Sequence, residues 1–115
     1  MQLRLAGAPD ASTLRVGDLS IDLLGRRVMR GGVRLELPPR QYDLLVCLAR
    51  AHGRPVSRDQ IAREVWNATR RMTSLDNLID VHVSRLREQV DGRRPDRLLH
   101  TLRGVGYTLA AVETP

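Results

Sequence analysis

The chain has 115 residues, of which 42% are hydrophobic, and this is enough for one domain with a single core. No apolar run is long enough for a membrane span or a secretory signal, and one cysteine, Cys47, allows neither an intramolecular disulfide nor a thiol-rich metal cluster. The formal net charge of +6 favours an anionic partner, most often nucleic acid, although an acidic protein or an anionic membrane surface would also be attracted.

The N-terminal third is predicted to contain an unstructured segment followed by a small antiparallel sheet. Residues 1–13 include Gly7 and Pro9 without any periodicity, and they are predicted to be a linker or a disordered tail. From residue 14 to residue 37, strand-sized runs alternate with turn signals, which predicts three or four strands. Gly31 and Gly32 mark the clearest turn, because a two-residue primed turn requires positive φ at both central positions.

Two helices are predicted after the sheet. Pro38 and Pro39 open the first helix, since the first turn of a helix tolerates proline, and Gly53 is predicted to be its C′ residue. Ser57 and Gln60 have the spacing of a capping box at the start of a short second helix. Cys47 lies in the apolar part of the first helix and is expected in the core, which suits a reducing compartment.

A third helix, from about Ser74 to Asp91, carries two stripes of side chains. At 3.6 residues per turn, one apolar stripe is predicted to be buried: Ile79, Val83, Leu86 and Val90. The second stripe lies roughly 100° around the helix and comprises Leu78, Val81, His82, Arg85 and Gln89. This second stripe needs a partner other than the domain's own core.

The chain is predicted to close with a β-hairpin. Residues 98–102 and 107–112 alternate as strands on either side of a turn that carries Arg103 and Gly104. The order of strands, three helices and an arginine-tipped hairpin predicts an α+β fold, namely a winged helix-turn-helix with an N-terminal antiparallel sheet and a C-terminal hairpin wing. This domain is predicted to span residues 14–112, with residues 113–115 as a tail.

Two motifs connect the sequence to a known family. Residues 80–87 read Asp-Val-His-Val-Ser-Arg-Leu-Arg, similar to DVHxxRLR, and residues 101–107 read Thr-Leu-Arg-Gly-Val-Gly-Tyr, similar to TVRGxGY. In both motifs, and over roughly residues 14–110, the chain resembles the C-terminal DNA-binding output domain of OmpR/PhoB-type response regulators. The run at 98–101, Leu-Leu-His-Thr, most resembles the branch that answers copper and other heavy metals.

The resemblance implies that the third helix enters the major groove of double-stranded DNA and that the wing reaches the adjacent minor groove. The residues it implies for DNA binding are Leu78, Val81, His82, Arg85, Arg87, Thr101 and Arg103. Arg85 and Val81 would face base edges, with His82 and Leu78 beside them. Arg87 would meet a phosphate, and Arg103 would enter the minor groove. An arginine suits these roles because its fork bonds both guanine O6 and N7, and because a narrow minor groove attracts positive charge.

The resemblance also implies partners and a cellular role. The predicted function is sequence-specific DNA binding for transcriptional regulation in the bacterial cytoplasm, as the output domain of a two-component system, with no cofactor and no membrane. An upstream receiver domain, a sensor kinase and a second copy on direct-repeat DNA are implied; 115 residues leave no room for the receiver. In some relatives the loop between the second and third helices contacts RNA polymerase, and in this chain that loop carries Trp66, Arg70 and Arg71.

Several other interpretations stay open from the residues alone. Arg85 and Glu88 have the spacing of a solvated ion pair, and a winged helix can also bind an acidic protein partner instead of DNA. Asp80, His82 and His100 are metal-binding residue types, but they fall on different faces and elements. Asp80 is expected instead to orient an arginine or to complete a local polar network. No spacing indicates a catalytic set or a phosphate-binding loop, so no enzyme is predicted.

Overall fold

The computed structural model describes residues 12–68 and 73–111, and it has the predicted winged helix-turn-helix architecture. A four-stranded antiparallel sheet, in the order β1-β2-β3-β4, comes first: β1 (Thr13–Val16), β2 (Leu19–Asp22), β3 (Arg27–Arg30) and β4 (Val33–Leu35). Three helices and a hairpin follow: α1 (Pro39–Ala49), α2 (Arg58–Trp66), α3 (Thr73–Val90), β5 (Leu99–Leu102) and β6 (Gly106–Leu109). Residues 1–11 of the predicted linker and the whole predicted tail, residues 113–115, lie outside the described residues, while Thr13 at the end of the predicted linker already belongs to β1.

Alternation along the strands gives the N-terminal sheet one buried face. Leu19 and Ile21 of β2 and Val28 of β3 point into the core, and Ile21 is the direct partner of Val28 across the two strands. Gly31 and Gly32 have φ of +58° and +81°, which confirms the primed turn predicted between β3 and β4. The sheet therefore covers the helices from one side.

The ends of α1 and α2 are only partly as predicted. Ser57 Oγ accepts a hydrogen bond from the backbone N–H of Gln60 at 3.1 Å, which confirms the cap of α2. The prediction that Gly53 is the C′ residue of α1 is wrong. The residue after Ala49 stays right-handed and the chain continues through tight turns, so positive φ first appears at His52 and then at Gly53. The local cause is that backbone N–H groups after α1 keep bonding to carbonyls within that last turn.

The core lies between the sheet, the three helices and the hairpin. The apolar stripe of α3 is buried as predicted: Ile79, Val83, Leu86 and Val90 are at most 1% exposed. Cys47 is only half buried, and its thiol donates to a carboxylate oxygen of Glu64 at 3.5 Å. Burial, followed by the charge of Glu64, raises the pKa of this thiol to about 12, so it stays protonated. Within the described residues, no helix is both long enough and apolar enough to span a membrane.

A buried ion pair joins the N-terminal sheet to the end of α3. Arg30 of β3 is 1% exposed, and one of its nitrogens lies 2.8 Å from a carboxylate oxygen of Asp91, which is fully buried. The same guanidinium donates to the carbonyl of Val90 at 2.7 Å, and Asp91 also accepts the N–H groups of Leu98 and Leu99. The sheet, the end of α3 and the start of β5 are therefore fixed to one another.

Candidate nucleic-acid interface

One face of α3 is exposed and mixes apolar and basic side chains. Leu78 and Val81 are 40% and 42% exposed although both are aliphatic, and Arg85 is exposed one turn further along. Among the described residues Arg85 forms no ion pair, so the predicted alternative of a pair with Glu88 is absent there. This face therefore presents aliphatic surface and an uncompensated positive charge to the solvent.

His82 belongs to the same predicted stripe but is less exposed than its neighbours. Its ring meets the ring of Trp66 edge-on, with the centroids 5.4 Å apart, and its Nδ1 is buried without a hydrogen-bond partner among the described residues. Burial, and then the nearby charges of Arg85 and Arg40, lower the pKa of His82. The imidazole is therefore held neutral near pH 7, with one edge turned inward.

Trp66, predicted as a polymerase-contact residue, is engaged on both sides. The guanidinium of Arg40 lies over its ring at 5.5 Å from the centroid, and His82 meets it from α3. Arg40 also donates to the carbonyl of Val65, so it ties α1 to the end of α2. Trp66 thus links α1, α2 and α3. The other two residues of the predicted contact, Arg70 and Arg71, lie outside the described residues.

Asp80 of α3 joins a polar cluster with Arg58 of α2 and Tyr107 of β6. Its Oδ1 accepts from Arg58 Nε at 3.0 Å and from the Tyr107 hydroxyl at 2.5 Å. Arg58 also donates to the Tyr107 oxygen at 2.9 Å and lies over its ring. Burial, together with Asp80, raises the pKa of Tyr107 to about 12, so the phenol remains a donor. The expectation that Asp80 orients an arginine within a local network is confirmed.

Arg87 also points toward the hairpin. Its Nε donates to the carbonyl of Leu99 at 3.3 Å, and an Nη donates to Thr101 Oγ1 at 2.6 Å. Both acceptors are neutral and belong to β5, so the positive charge of Arg87 is not compensated by them. The guanidinium has further N–H groups beyond these two. The predicted phosphate-contact residue is therefore also a structural contact to the wing.

The tip of the hairpin projects from the domain. Arg103 is exposed, Val105 is 55% exposed, and Gly104 between them has φ of +78°. The base of the hairpin is tightly packed instead: a Cβ on Gly106 would lie 2.0 Å from the carbonyl oxygen of Val56. Glycine is required there because this backbone approaches the segment before α2 so closely. An exposed basic tip on a firmly seated base is the form of a wing.

Arg58 is one residue of the polar cluster that sequence reasoning did not identify. Arg58 lies in α2, and its position in the sequence gives no sign that it contacts α3 and β6. The one available signal was Tyr107 at the end of the second motif, because a buried tyrosine hydroxyl usually has a hydrogen-bond partner. Among the described residues no three His, Cys, Asp or Glu side chains gather as a metal site. His100 instead lies with Nε2 3.1 Å from the carbonyl oxygen of Ala110.

Comparisons with known proteins match most of the chain. A family model described as transcriptional regulatory protein, C terminal, matches residues 32–109. The transcriptional regulatory protein PcoR of Escherichia coli is 36% identical over 107 residues, covering 93% of this chain and 46% of that protein. The transcriptional regulatory protein CusR of Escherichia coli K12 is 40% identical over 98 residues, covering 85% and 42%. The chain spans less than half the length of these curated relatives.

Solved structures of similar domains agree in fold. The DNA-binding domain of CpxR from Escherichia coli has a TM-score of 0.72 at 34% identity, covering 88% of this chain and 98% of that one. The RstA DNA-binding domain of Klebsiella pneumoniae, solved in complex with the RstA box, has a TM-score of 0.71 at 31% identity, covering 85% and 96%. DrrB, a Thermotoga maritima OmpR/PhoB homologue, has a TM-score of 0.71 at 30% identity, covering 86% and 44%.

Proposed function

We propose that this chain, which belongs to the family of C-terminal domains of transcriptional regulatory proteins of the OmpR/PhoB type, binds double-stranded DNA sequence-specifically and thereby regulates transcription. The observation that carries the proposal is the exposed face of α3, where Leu78, Val81 and Arg85 are exposed to solvent. The wing is held beside the same helix by Asp80 and Arg87. A helix with a wing beside it matches a major groove flanked by a minor groove.

Each side chain of this surface has a contact that suits its chemistry. Arg85 bonds O6 and N7 of a guanine, while Leu78 and Val81 touch thymine methyl groups. Arg103 enters the minor groove at the wing tip, where negative potential is enhanced. His82 lies beside these base-reading residues. Phosphate and sugar contacts, which fix the register but carry no sequence information, come from Arg87 and Thr101.

The proposed context is a bacterial two-component system in the cytoplasm. The unmatched half of the relatives leaves space for a receiver domain upstream, which a sensor kinase would phosphorylate. A second copy binds the neighbouring direct repeat, and the loop that follows Trp66 is the proposed contact with RNA polymerase. Binding and not catalysis is the proposed role. The alternative, an acidic protein partner, is not favoured, because a structural relative was solved bound to its box.

Duplex binding across a salt series tests the proposal. Bound sites are first selected from random duplexes, and the dissociation constant of the selected duplex is then measured by fluorescence anisotropy at increasing salt. Affinity is expected to fall steeply, because each phosphate that is neutralised releases counterions. Arg103→Ala is expected to reduce the salt slope by about one. Arg34→Ala removes the same charge from β4, where Arg34 pairs with Glu36, and is expected to leave the slope unchanged.

Absence of duplex binding at low salt would contradict the proposal. An acidic protein partner would also show salt dependence, but it would leave the random duplex pool without enrichment. Enrichment of one sequence, together with loss of that enrichment in Arg85→Ala, is the result that the proposal requires.

A further inference from the structure

We propose that α3 clamps the wing at two points, and that Asp80 and Tyr107 are positioning residues that keep the wing tip in register with the DNA-contacting face of α3. This inference rests on the proposed function, because it concerns how two DNA-contacting elements act together. It assigns a DNA-binding effect to Tyr107, which is 4% exposed and has no access to DNA while the hairpin stays in place.

Both points of the clamp hold the same rung of the hairpin. Thr101 of β5 and Tyr107 of β6 are direct partners in the strand register. Thr101 accepts a hydrogen bond from Arg87 at 2.6 Å, and Tyr107 donates one to Asp80 at 2.5 Å. Asp80 and Arg87 are two helical turns apart and therefore lie on the same face of α3. Two separated attachments to one rung restrict rotation of the hairpin in a way that a single attachment cannot.

The clamp lies close to the groups that are proposed to contact DNA. Asp80 is next to Val81 of the exposed face in the α3 sequence. Thr101 and Tyr107 pair close to the turn that carries Arg103. Arg58 neutralises the Asp80 carboxylate at 2.9 Å, so the clamp does not add an unpaired negative charge next to a DNA-binding face. The position of the wing tip relative to α3 is thus set by two polar contacts, one partly buried at Tyr107 and one exposed at Thr101.

The expected benefit is preorganisation. A wing that swings freely would lose conformational freedom when it enters the minor groove, and this loss would weaken binding. A wing that is already fixed lets the major-groove and minor-groove contacts form together, so the second contact is effectively intramolecular. Loss of the clamp should therefore weaken only the contribution that the wing makes to binding.

A double-mutant cycle between Tyr107→Phe and Arg103→Ala tests this directly. Tyr107→Phe removes the hydroxyl, and with it the hydrogen bonds to Asp80 and from Arg58, but keeps the buried ring, the backbone pairing of Tyr107 with Val56 and the Arg58–Asp80 ion pair. We expect it to weaken binding of the selected duplex by roughly three- to tenfold, because the link between α3 and the wing at Asp80 is lost. In the Arg103→Ala background the same change should cost less than about twofold, because the wing contact is already lost.

Tyr42→Phe is the matched control, since it removes the hydroxyl of the other tyrosine, which is buried in α1. It is expected to leave duplex affinity unchanged. An equal loss from Tyr107→Phe in both backgrounds would mean that the hydroxyl has a general structural role, and that result would overturn the clamp. No loss in the wild-type background would overturn it as well.

Amide hydrogen exchange of the free chain separates failure of the clamp from failure of the proposed function. Tyr107→Phe should accelerate exchange of wing amides such as the Val105 N–H, which donates to Leu102, while exchange in β2 stays as in the wild type. Should the wild type bind no duplex, the proposed function fails while exchange still decides whether α3 holds the wing. Unchanged exchange throughout the wing would refute the clamp, whatever the DNA result.

Discussion

The two sheets of this domain are both attached to α3, but through polar contacts of opposite kinds. The N-terminal sheet is attached by the Arg30–Asp91 pair, in which both side chains are at most 1% exposed. Nearer its tip, at Thr101 and Tyr107, the wing is attached by Arg87 and Asp80, and both are half buried. A buried charged side chain that loses its partner has no access to water, so the loss is strongly destabilising. A half-buried side chain can form hydrogen bonds with water instead, so the loss costs little. The first attachment therefore governs folding, and the second can serve binding.

The largest expected loss of stability is at the buried Arg30–Asp91 pair. Asp91→Ala leaves the Arg30 guanidinium buried without its carboxylate and removes the acceptor for the N–H groups of Leu98 and Leu99. Its free energy of unfolding should fall by about 3–5 kcal/mol. Asp18→Ala is the control, because Asp18 pairs with the same arginine at 3.0 Å but is 53% exposed, and it should cost less than about 1 kcal/mol. Equal losses in urea unfolding would contradict the distinction.

The next largest effect is expected at the base of the wing. Gly106→Ala places a Cβ 2.0 Å from the Val56 carbonyl oxygen, so the backbone itself must move, and stability should fall by about 3 kcal/mol. Gly104→Ala at the tip meets no atom within 4 Å and carries only the cost of positive φ, about 1 kcal/mol. In thermal unfolding, Gly106→Ala should therefore have a lower melting temperature than Gly104→Ala. Similar melting temperatures would show that the base is not tightly seated.

The exposed face of α3 should affect specificity and leave stability nearly unchanged. Arg85→Ala should lower discrimination at one base pair by about 1–3 kcal/mol, because the bidentate contact is lost. Arg87→Ala should weaken binding to all sequences about equally, since its contacts are to the wing and to phosphate. The measurement is affinity for the selected duplex and for a set of single-substitution duplexes. The reverse pattern would show that the faces of α3 have been assigned wrongly.

The smallest expected effect is the pH dependence of stability that comes from His82. Its pKa is lowered by burial and by nearby arginines, so the folded protein binds this proton less readily than the unfolded chain, where histidine titrates near about 6.5. Stability is therefore expected to fall as pH drops below about 6.5 toward the lowered pKa of the folded state. His82→Gln should make the unfolding free energy less dependent on pH in this window. An unchanged pH profile would contradict the lowered pKa of His82 in the folded protein.

Local patterns were sufficient to predict most of the fold. The buried stripe of α3, the primed turn at Gly31 and Gly32, and the cap at Ser57 all depend on neighbours a few residues away. Gly53 was wrongly assigned as the C′ residue of α1. A glycine after a helix indicates a residue with positive φ, but it does not show how many turns lie between the end of the helix and that residue. Boundaries set by such turns are decided by backbone hydrogen bonds that composition does not reveal.

The polar contacts between elements could not be predicted in the same way. Arg30 shares a strand face with the buried Val28, but its partner Asp91 lies 61 residues further along the chain and nothing local connects the two. The partners of Asp80 were likewise unidentifiable, although its role in a polar network was expected. The roles of the predicted DNA-contact residues remain predictions, because they depend on a partner molecule that the chain alone does not define.

Backbone amide chemical shifts of the labelled chain, followed while the selected duplex is added, test whether the exposed face of α3 and the wing tip contact DNA. Large changes are expected on the exposed face of α3, at Leu78, Val81 and Arg85, and at Val105 in the wing tip. No comparable change is expected at Met29, which is exposed on the outer face of the N-terminal sheet. Changes centred on that sheet while α3 stays silent, or no changes at low salt, would contradict these contacts with DNA.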